Sequence, residues 1–464
     1  MRKRSLSDRP CRQISTGRFP IAGFAVPRLG VPRLACTLAL AGLLAVLPAA
    51  AFTGSEIGAP AALAVPPENW EARSLLSDVI FAASREAAAQ KPRVISQSSG
   101  AASVRFQAQV QSGSLYLSFA NKDGAGYPLD RAGTFIIKRS LADGAFLQVK
   151  IFVQDDPGTY LRLFPDGERT LMDAWLFGEP FQTGIALPVS FDRVLTAPLS
   201  SIIEWSSAVV SWPLVLKPSP GPEDQHLEEM ARTLKSRLPS LRDMDDGAMD
   251  GSGRMVYIAT GTTAARGGFN CSGFAKWVVD GLYAPLAGHP MDIAPLKSRN
   301  AGKDNPWSTR FEEEMDPWFG LDWSRGLART IALAQTGTAP ADGQIDVRES
   351  ERLPYIRDVG YPVTKLQSLL YFLARRDPGK LYVGSVNAPS SAVSEGTPTL
   401  RQHHHVIVLL PYFDASGAFR VVVMERNLQT SIPSLVRRYG TEYVHLVRID
   451  PRGAFDPPAI PGGK

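Results

Sequence analysis

Residues 267–279 have the sequence GGFNCSGFAKWVV, which places a cysteine between a glycine-rich loop and a hydrophobic segment. Asn270 is a favoured helix N-cap, because its side-chain oxygen can accept a hydrogen bond from a free amide of the first turn. Cys271 would then lie in that turn, where the helix dipole stabilises a thiolate and lowers the pKa of the thiol. The free amides can also stabilise an oxyanion. This stretch therefore predicts a nucleophilic cysteine.

The spacing after the cysteine predicts an amphipathic helix. Cys271, Phe274 and Val278 fall on one face, whereas Lys276 and Asp280 point elsewhere. The alternative for Cys271 is a small buried apolar side chain, because unbonded cysteine is among the most buried residue types. Position and neighbours alone leave the catalytic and the structural interpretation equally open.

The composition is that of a globular protein with room for about two or three domains. Of its 464 residues, 44% are hydrophobic and 20% are charged. The first 52 residues contain eight Lys or Arg and one Asp, so the formal charge of +5 becomes −2 once their +7 is taken away. Because the basic character belongs to this first segment, a nucleic-acid partner is not expected.

Residues 1–52 are predicted to be a signal peptide or leader. The apolar run 35–51 follows basic residues, ends in small residues and is short for a membrane span. We expect an exported protein of the periplasm or cell envelope that contacts a membrane only through this leader. Cys11 and Cys36 lie in the leader, which leaves Cys271 as the one thiol after export. A single thiol in an oxidising space is exposed to damage, and this favours a chemical role.

The remaining chain divides into four predicted parts, which are a helical N-terminal segment (53–100), a β-rich module (101–216), a proline-rich linker (217–223) and a C-terminal domain (224–464). In the β-rich module, apolar and polar residues alternate between Asp-Gly turns, which predicts an antiparallel sandwich or barrel. This module contains no chemical motif, so a structural or binding role is favoured.

A histidine cluster supplies the second half of a candidate site. His403, His404 and His405 precede a hydrophobic strand, and the following segment completes a hairpin that returns Glu425 and Asn427 to the histidines. A thiolate, an imidazole base and a carboxylate or amide that orients the imidazole are the groups that cysteine acyl transfer requires. We predict Cys271, His405 and Glu425 as catalytic residues, with His404 and Asn427 as alternatives.

Three adjacent histidines also raise the question of a metal site. Neighbouring side chains on a strand point to opposite faces, so all three cannot converge on one ion. Neither a metal nor a cofactor is predicted.

Taken together, these segments resemble the NlpC-type cell-wall peptidase family, a branch of the papain-like cysteine hydrolases. Residues 269–274 (FNCSGF) are similar to the Asp-Cys-Ser-Gly-Phe helix start of that family. Tyr257, placed in a predicted strand 255–258, resembles the tyrosine before its glycine-rich loop. Pro378-Gly379-Lys380-Leu381 and His405-Val406-Ile407-Val408 are similar to its strand start and its histidine strand.

The resemblance implies an α+β fold, with a papain-like (NlpC-type) C-terminal domain preceded by an antiparallel all-β module. In that fold a helix bearing the nucleophile packs on an antiparallel sheet bearing the base. It further implies that Tyr257, Asn270 and Ser272 contribute to substrate or oxyanion binding. Two features depart from the family: Asn270 replaces aspartate, and residues 283–377 form a long insert, predicted as a lid or specificity element.

The implied function is an exported cysteine peptidase or amidase that cleaves an amide bond in peptidoglycan stem peptides. One alternative is a papain-like acyltransferase or amidase acting on a lipid or another amide. The other is an envelope-binding protein with a degenerate site, in which Cys271 and His405 would lie beyond hydrogen-bond reach. The sequence leaves the oligomeric state open.

Overall fold

Eight consecutive strands form the first sheet of the computed structural model. The structure describes residues 65–301, 316–348, 353–389 and 401–460, so the predicted leader with Cys11 and Cys36 lies outside the described residues. Within those ranges, no helix is both long and apolar enough to cross a membrane. Three short helices precede the sheet: α1 (Trp70–Leu75), α2 (Ser77–Phe81) and α3 (Ser84–Ala88). The strands are β1 (Arg93–Ser96), β2 (Ser103–Gln111), β3 (Ser114–Asn121), β4 (Phe135–Ser140), β5 (Phe146–Phe152), β6 (Tyr160–Asp166), β7 (Arg169–Leu176) and β8 (Glu179–Leu187).

Each of these strands pairs antiparallel with the next one in the sequence. The predicted alternation is confirmed in β2, where Val104 and Phe106 are fully buried and Arg105 between them is exposed. The predicted sandwich of two sheets is wrong, because all eight strands belong to a single sheet. A closed barrel is wrong too, since β1 and β8 do not pair in the described structure.

Helices complete the core of this sheet. Residues 191–215, predicted as part of an all-β module, fold into α4 (Phe191–Thr196), α5 (Leu199–Ser206) and α6 (Trp212–Val215). Phe191, Val194 and Leu195 have the i, i+3, i+4 spacing of a helix, and all three are buried in the core of the sheet. The all-β prediction is therefore wrong for this segment. Likewise, the predicted helical segment 53–100 also contains β1.

A second, six-stranded sheet organises the C-terminal part of the chain. Its strands are β11 (Tyr361–Pro362), β12 (Leu381–Pro389), β13 (Arg401–Phe413), β14 (Phe419–Glu425), β15 (Leu428–Thr430) and β16 (Tyr443–Ile449), in the order β11-β16-β12-β13-β14-β15. A separate two-stranded ribbon is formed by β9 (Ala248–Met249) and β10 (Met255–Val256). The helices are α7 (Pro222–Arg237), α8 (Cys271–Ala287), α9 (Ile293–Leu296), α10 (Phe319–Thr336), α11 (Asp342–Ile345), α12 (Leu366–Arg376) and α13 (Ile432–Tyr439). The chain is thus an α+β protein with antiparallel sheets.

Different helices cover the two faces of the six-stranded sheet. Along β13, Val406 and Val408 lie in one core with α7, α8 and α10, whereas Ile407 and Leu409 lie in another with α12 and α13. Trp323 of α10 is fully buried, and its indole Nε1 donates to the carbonyl of Ser272 at 2.9 Å. Because α10 falls within 283–377, part of the predicted insert belongs to the core that supports α8.

Helix α8 is buried on more than one face. Lys276 and Asp280, predicted to point away from the apolar stripe, have fully buried side chains and form an ion pair of 2.6 Å. Asp280 also accepts from the amide of Met291 at 2.8 Å. The polar side of the helix does not face solvent, because neighbouring segments cover this part of the helix. The buried lysine and aspartate then satisfy each other.

The proline-rich segment 217–223 connects two regions that contact each other. The hydroxyl of Tyr371 in α12 donates to the carbonyl of Leu214 at 2.6 Å, and the side chain of Gln154 donates to that hydroxyl at 2.9 Å. Tyr371 is buried in the core of the eight-stranded sheet. The two sheets are thus held together by packing and by side-chain hydrogen bonds.

Candidate active site

The cysteine lies at the start of α8, as its sequence predicts. Asn270 caps the helix, and its side chain accepts from the amide of Gly273 at 2.7 Å, which confirms the N-cap prediction. Gly273 is required sterically, because a Cβ at this position would lie 1.9 Å from the carbonyl oxygen of Gly247. For the amides of Cys271 and Ser272, no acceptor is found in the described part of the chain. These two N–H groups are available beside the thiol.

The base is positioned by an irregularity in β13. Val386 of β12 pairs with His405 and Asn387 pairs with His403, so His404 is an extra residue in β13. Such a bulge changes the direction of the side chains on either side of it. The Nε2 atom of His405 lies 2.7 Å from Oε2 of Glu425. This contact leaves Nδ1 as the ring nitrogen available to Cys271.

Glu425 is held at both of its oxygens. While Oε2 contacts His405, Oε1 accepts from Nη2 of Arg438 at 2.5 Å and from the hydroxyl of Thr430. Burial opposes ionisation of this carboxyl, but the hydrogen bonds from His405, Arg438 and Thr430 prevail and lower the pKa of Glu425 to about 2. The buried carboxylate is therefore charged at neutral pH and can fix the orientation of the imidazole.

Cys271 and His405 are neighbouring side chains that are both mostly removed from solvent. Their exposed fractions are 8% and 9%, and the Sγ atom also lies 3.9 Å from the carbonyl oxygen of His404. Burial opposes ionisation of the thiol, but the hydrogen bond and charge of His405 outweigh it, so the pKa of Cys271 is below its usual value. Burial likewise opposes the imidazolium, yet Cys271 and Glu425 raise the pKa of His405 to about 9. These opposite shifts favour a thiolate–imidazolium pair.

The two alternative catalytic residues lie outside this chain of contacts. His404 has an exposed side chain, and its Nδ1 lies 3.4 Å from the carbonyl of Gln402. Asn427 is the second of the two residues in the tight turn between β14 and β15. His405 and Glu425 are the residues that the fold brings to Cys271.

Tyr257 does not occupy the predicted strand position. The strand β10 ends at Val256, and the chain turns back after it, with the amide of Gly261 donating to the carbonyl of Tyr257 at 2.8 Å. The prediction of a strand over 255–258 is therefore wrong beyond Val256. Among the contacts of the described residues, none joins the side chain of Tyr257 to Cys271 or His405.

Three residues of the site were not predicted from the sequence. They are Thr430 and Arg438, which hold Glu425, and Tyr439, whose ring centroid lies 6.0 Å from that of His405 and 6.0 Å from that of His404. Arg438 and Tyr439 are the last two residues of α13. A basic residue in the last turn of a helix is common, so it carried no specific signal.

The third histidine of the cluster has a structural environment. His403 is buried, and its ring contacts the hydroxyl of Ser385 at 2.9 Å and the carbonyl of Asp358 at 2.9 Å. Burial lowers the pKa of His403 to about 3, so this ring is neutral. In the described ranges there is no group of three His, Cys, Asp or Glu side chains that could hold a metal ion.

One family model matches the chain, and it covers the region of the eight-stranded sheet. The family is described as a domain of unknown function, DUF8515, and its match spans residues 63–214. This is less than half of the chain and ends before α7, so it does not include Cys271, His405 or Glu425. The comparisons with curated proteins and with solved structures gave no match.

Proposed function

We propose that this protein is a thiol hydrolase of amide bonds with a papain-like, NlpC-type catalytic region. The observation that carries this proposal is the contact of 2.7 Å between the imidazole of His405 and the carboxylate of Glu425, beside the Cys271 thiol at the start of α8. A helix that begins at the nucleophile and packs on an antiparallel sheet that bears the base agrees with the resemblance to that family. Cys271 and His405 also shift each other's pKa, which requires them to be neighbours and favours a competent site over a degenerate one.

In the proposed reaction, the Cys271 thiolate attacks the carbonyl carbon of the amide. The protonated His405 then gives its proton to the leaving nitrogen, the C–N bond breaks, and a thioester remains on Cys271. Neutral His405 next takes a proton from water, whose oxygen attacks the thioester carbon. The C–S bond then breaks, and sulfur leaves as a thiolate while His405 keeps the proton. The acid product leaves, and the thiolate–imidazolium pair is restored.

The start of α8 would stabilise the charged intermediate of both steps. The amides of Cys271 and Ser272 have no acceptor among the described residues and lie at the positive end of the helix dipole. Donors fixed in this way cost no reorganisation when the oxyanion forms. The capping bond of Asn270 holds this turn in place.

As substrate we propose the stem peptides of peptidoglycan, and as location the periplasm or cell envelope. The support is the resemblance at 269–274 and 405–408 together with the leader-like residues 1–52. No specific observation favours the alternative function of an acyltransferase.

Alkylation of Cys271 by iodoacetamide, measured against pH, tests the proposed site. We expect the wild-type thiol to react well below the ordinary cysteine pKa of about 8.5. In His405→Ala this advantage should disappear, because the imidazolium that stabilises the thiolate is gone. An ordinary thiol profile that the substitution does not change would contradict the proposal. If the thiol of the wild-type protein proves to be activated, that protein can be tested on purified wall peptides. Cys271→Ser is the inactive control.

A further inference from the structure

An ion pair connects the two chain segments that carry the nucleophile and the orienting carboxylate. Arg426 directly follows Glu425, and its Nη1 donates to both carboxylate oxygens of Asp243, at 2.8 and 3.1 Å. Asp243 in turn forms a β-bridge with Phe269, two residues before Cys271. The pair therefore lies beside the catalytic residues and joins the two sides of the site.

Arg426 uses only part of its hydrogen-bonding capacity in this pair. A guanidinium has five N–H donors, and a fork of two nitrogens matches a carboxylate. In the described structure, Nε and Nη2 of Arg426 have no partner, and 39% of the side chain is exposed. Solvent-exposed ion pairs of this kind contribute little to stability, so a second carboxylate can share or replace Asp243 at little cost.

The backbone at Arg426 is held in an unfavourable conformation. With Glu425 paired to Leu428, Arg426 and Asn427 form a two-residue hairpin loop, and Arg426 has a φ of +51°. In loops of this length, a positive φ at the first central residue is usually supplied by glycine, asparagine or aspartate. An arginine there costs conformational energy, and a required side chain explains its presence.

Arg426 and the thiol of Cys271 both act through their charges on the same side chain, Tyr439. The pKa of Tyr439 is raised, with burial as the largest cause, while Cys271, Glu425, Arg438 and Arg426 all act on it through their charges. Arg438 is occupied by Glu425, whereas Arg426 presents free donors.

From these observations we propose that Arg426 binds a carboxylate of the substrate close to the scissile amide. This inference rests on the proposed function, because it names the chemical class of substrate for that same site. The substrate would be an amide with a free carboxylate near the bond that is cleaved. Asp243 holds the guanidinium in position while no substrate is bound.

The test compares two alkylating reagents of similar size and different charge at Cys271. Iodoacetate carries a carboxylate and iodoacetamide does not, so the ratio of their rate constants measures anion selectivity beside the thiol. The ratio is normalised to that of a small neutral thiol at the same pH. We expect the ratio for Arg426→Gln to fall by about three- to tenfold from the wild-type value, since one nearby positive charge is lost. Arg426→Lys should keep most of the selectivity.

Arg437→Gln is the matched control, because Arg437 is an exposed arginine of α13 that donates to Ser434. Its ratio should equal that of the wild type. The iodoacetamide rate of each variant shows that the Cys271–His405 pair is intact. A ratio that Arg426→Gln leaves unchanged, with an intact pair, overturns the carboxylate proposal and leaves the hydrolase proposal standing. An ordinary thiol profile with iodoacetamide instead overturns the hydrolase proposal and, with it, the substrate class.

Discussion

The two sheets of this protein bury arginine side chains in different ways. Beside the eight-stranded sheet, Arg73 is 1% exposed, and its guanidinium donates to the carbonyls of Leu195 and Ala197, each at 2.8 Å. Its Nε donates to the side chain of Asn69 at 2.8 Å. Burial without a contacting carboxylate lowers the pKa of Arg73 to about 9. Here a charged group serves to fix backbone segments.

Around the six-stranded sheet, buried charges contact opposite charges. Arg325 has Nη2 at 2.7 Å from Asp346, and His405 has Nε2 at 2.7 Å from Glu425. The Asp346 carboxylate is fully buried, and so are both members of the Lys276–Asp280 pair. Pairing raises the pKa of the base and lowers that of the acid in Arg325–Asp346 and His405–Glu425. In Lys276–Asp280 burial prevails, so the pKa of Lys276 falls and that of Asp280 rises.

The difference indicates which region can carry chemistry. Backbone carbonyls hold a cation in place but offer no group that exchanges protons near neutral pH. Paired side chains can move a proton between defined atoms, and strongly shifted pKa values are a property of catalytic sites. Substitutions in the two regions should consequently have separable effects.

The largest expected effect is on stability, from Arg73→Met. The substitution leaves two buried carbonyls and the Asn69 side chain without a donor, so we expect the free energy of unfolding to fall by about 3 kcal/mol. Denaturant titration measures this change. Arg85→Met, an exposed position in α3, should change it by less than about 0.5 kcal/mol. Under native conditions, the alkylation rate of Cys271 should be that of the wild type. A slower rate in the folded variant would mean that the two regions are coupled.

An intermediate effect is expected from Glu425→Gln. Without the carboxylate the imidazolium is less stable, so the pKa of His405 should fall from about 9 toward its ordinary 6.5. The thiolate then loses its cation, and alkylation by iodoacetamide at pH 7 should slow by about tenfold. Glu229→Gln, an exposed position of α7, is the control and should leave the rate unchanged. An unchanged pH profile in Glu425→Gln would remove Glu425 from the site.

The same substitution predicts a change in the pH dependence of stability. Since the pKa of His405 is raised to about 9, its contribution to stability is complete below 6.5 and is lost as the pH rises through 9. Since the pKa of Glu425 is lowered to about 2, its contribution is present above 4.5 and is lost as the pH falls through 2. Both losses should become smaller in Glu425→Gln, as measured by unfolding at pH 3, 6 and 9.

The smallest effect is expected from His404→Ala. His404 contributes its backbone carbonyl to the surroundings of Sγ, and alanine keeps that carbonyl. Loss of the exposed ring should change the alkylation rate by less than about twofold. A loss as large as that of His405→Ala would instead identify His404 as the base.

Features that depend on neighbours in the sequence could be predicted from it. The N-cap bond of Asn270 spans three residues, and the alternation of Val104, Arg105 and Phe106 spans two positions. The hydrophobic run after His405 predicts a strand, and β13 includes it. Local geometry determines these features, because a cap and a pleat require only a particular residue type at a fixed spacing.

Tertiary structure decided which side chains meet at the thiol. A bulge in β13 separates the role of His405 from that of His404, and the turn after β14 brings Glu425 rather than Asn427 to the imidazole. Arg438 reaches Glu425 from α13, a helix outside the histidine hairpin. Likewise, the burial of Lys276 depends on the segments that cover α8. A residue's partner across a fold depends on register, bulges and packing, which no local pattern specifies.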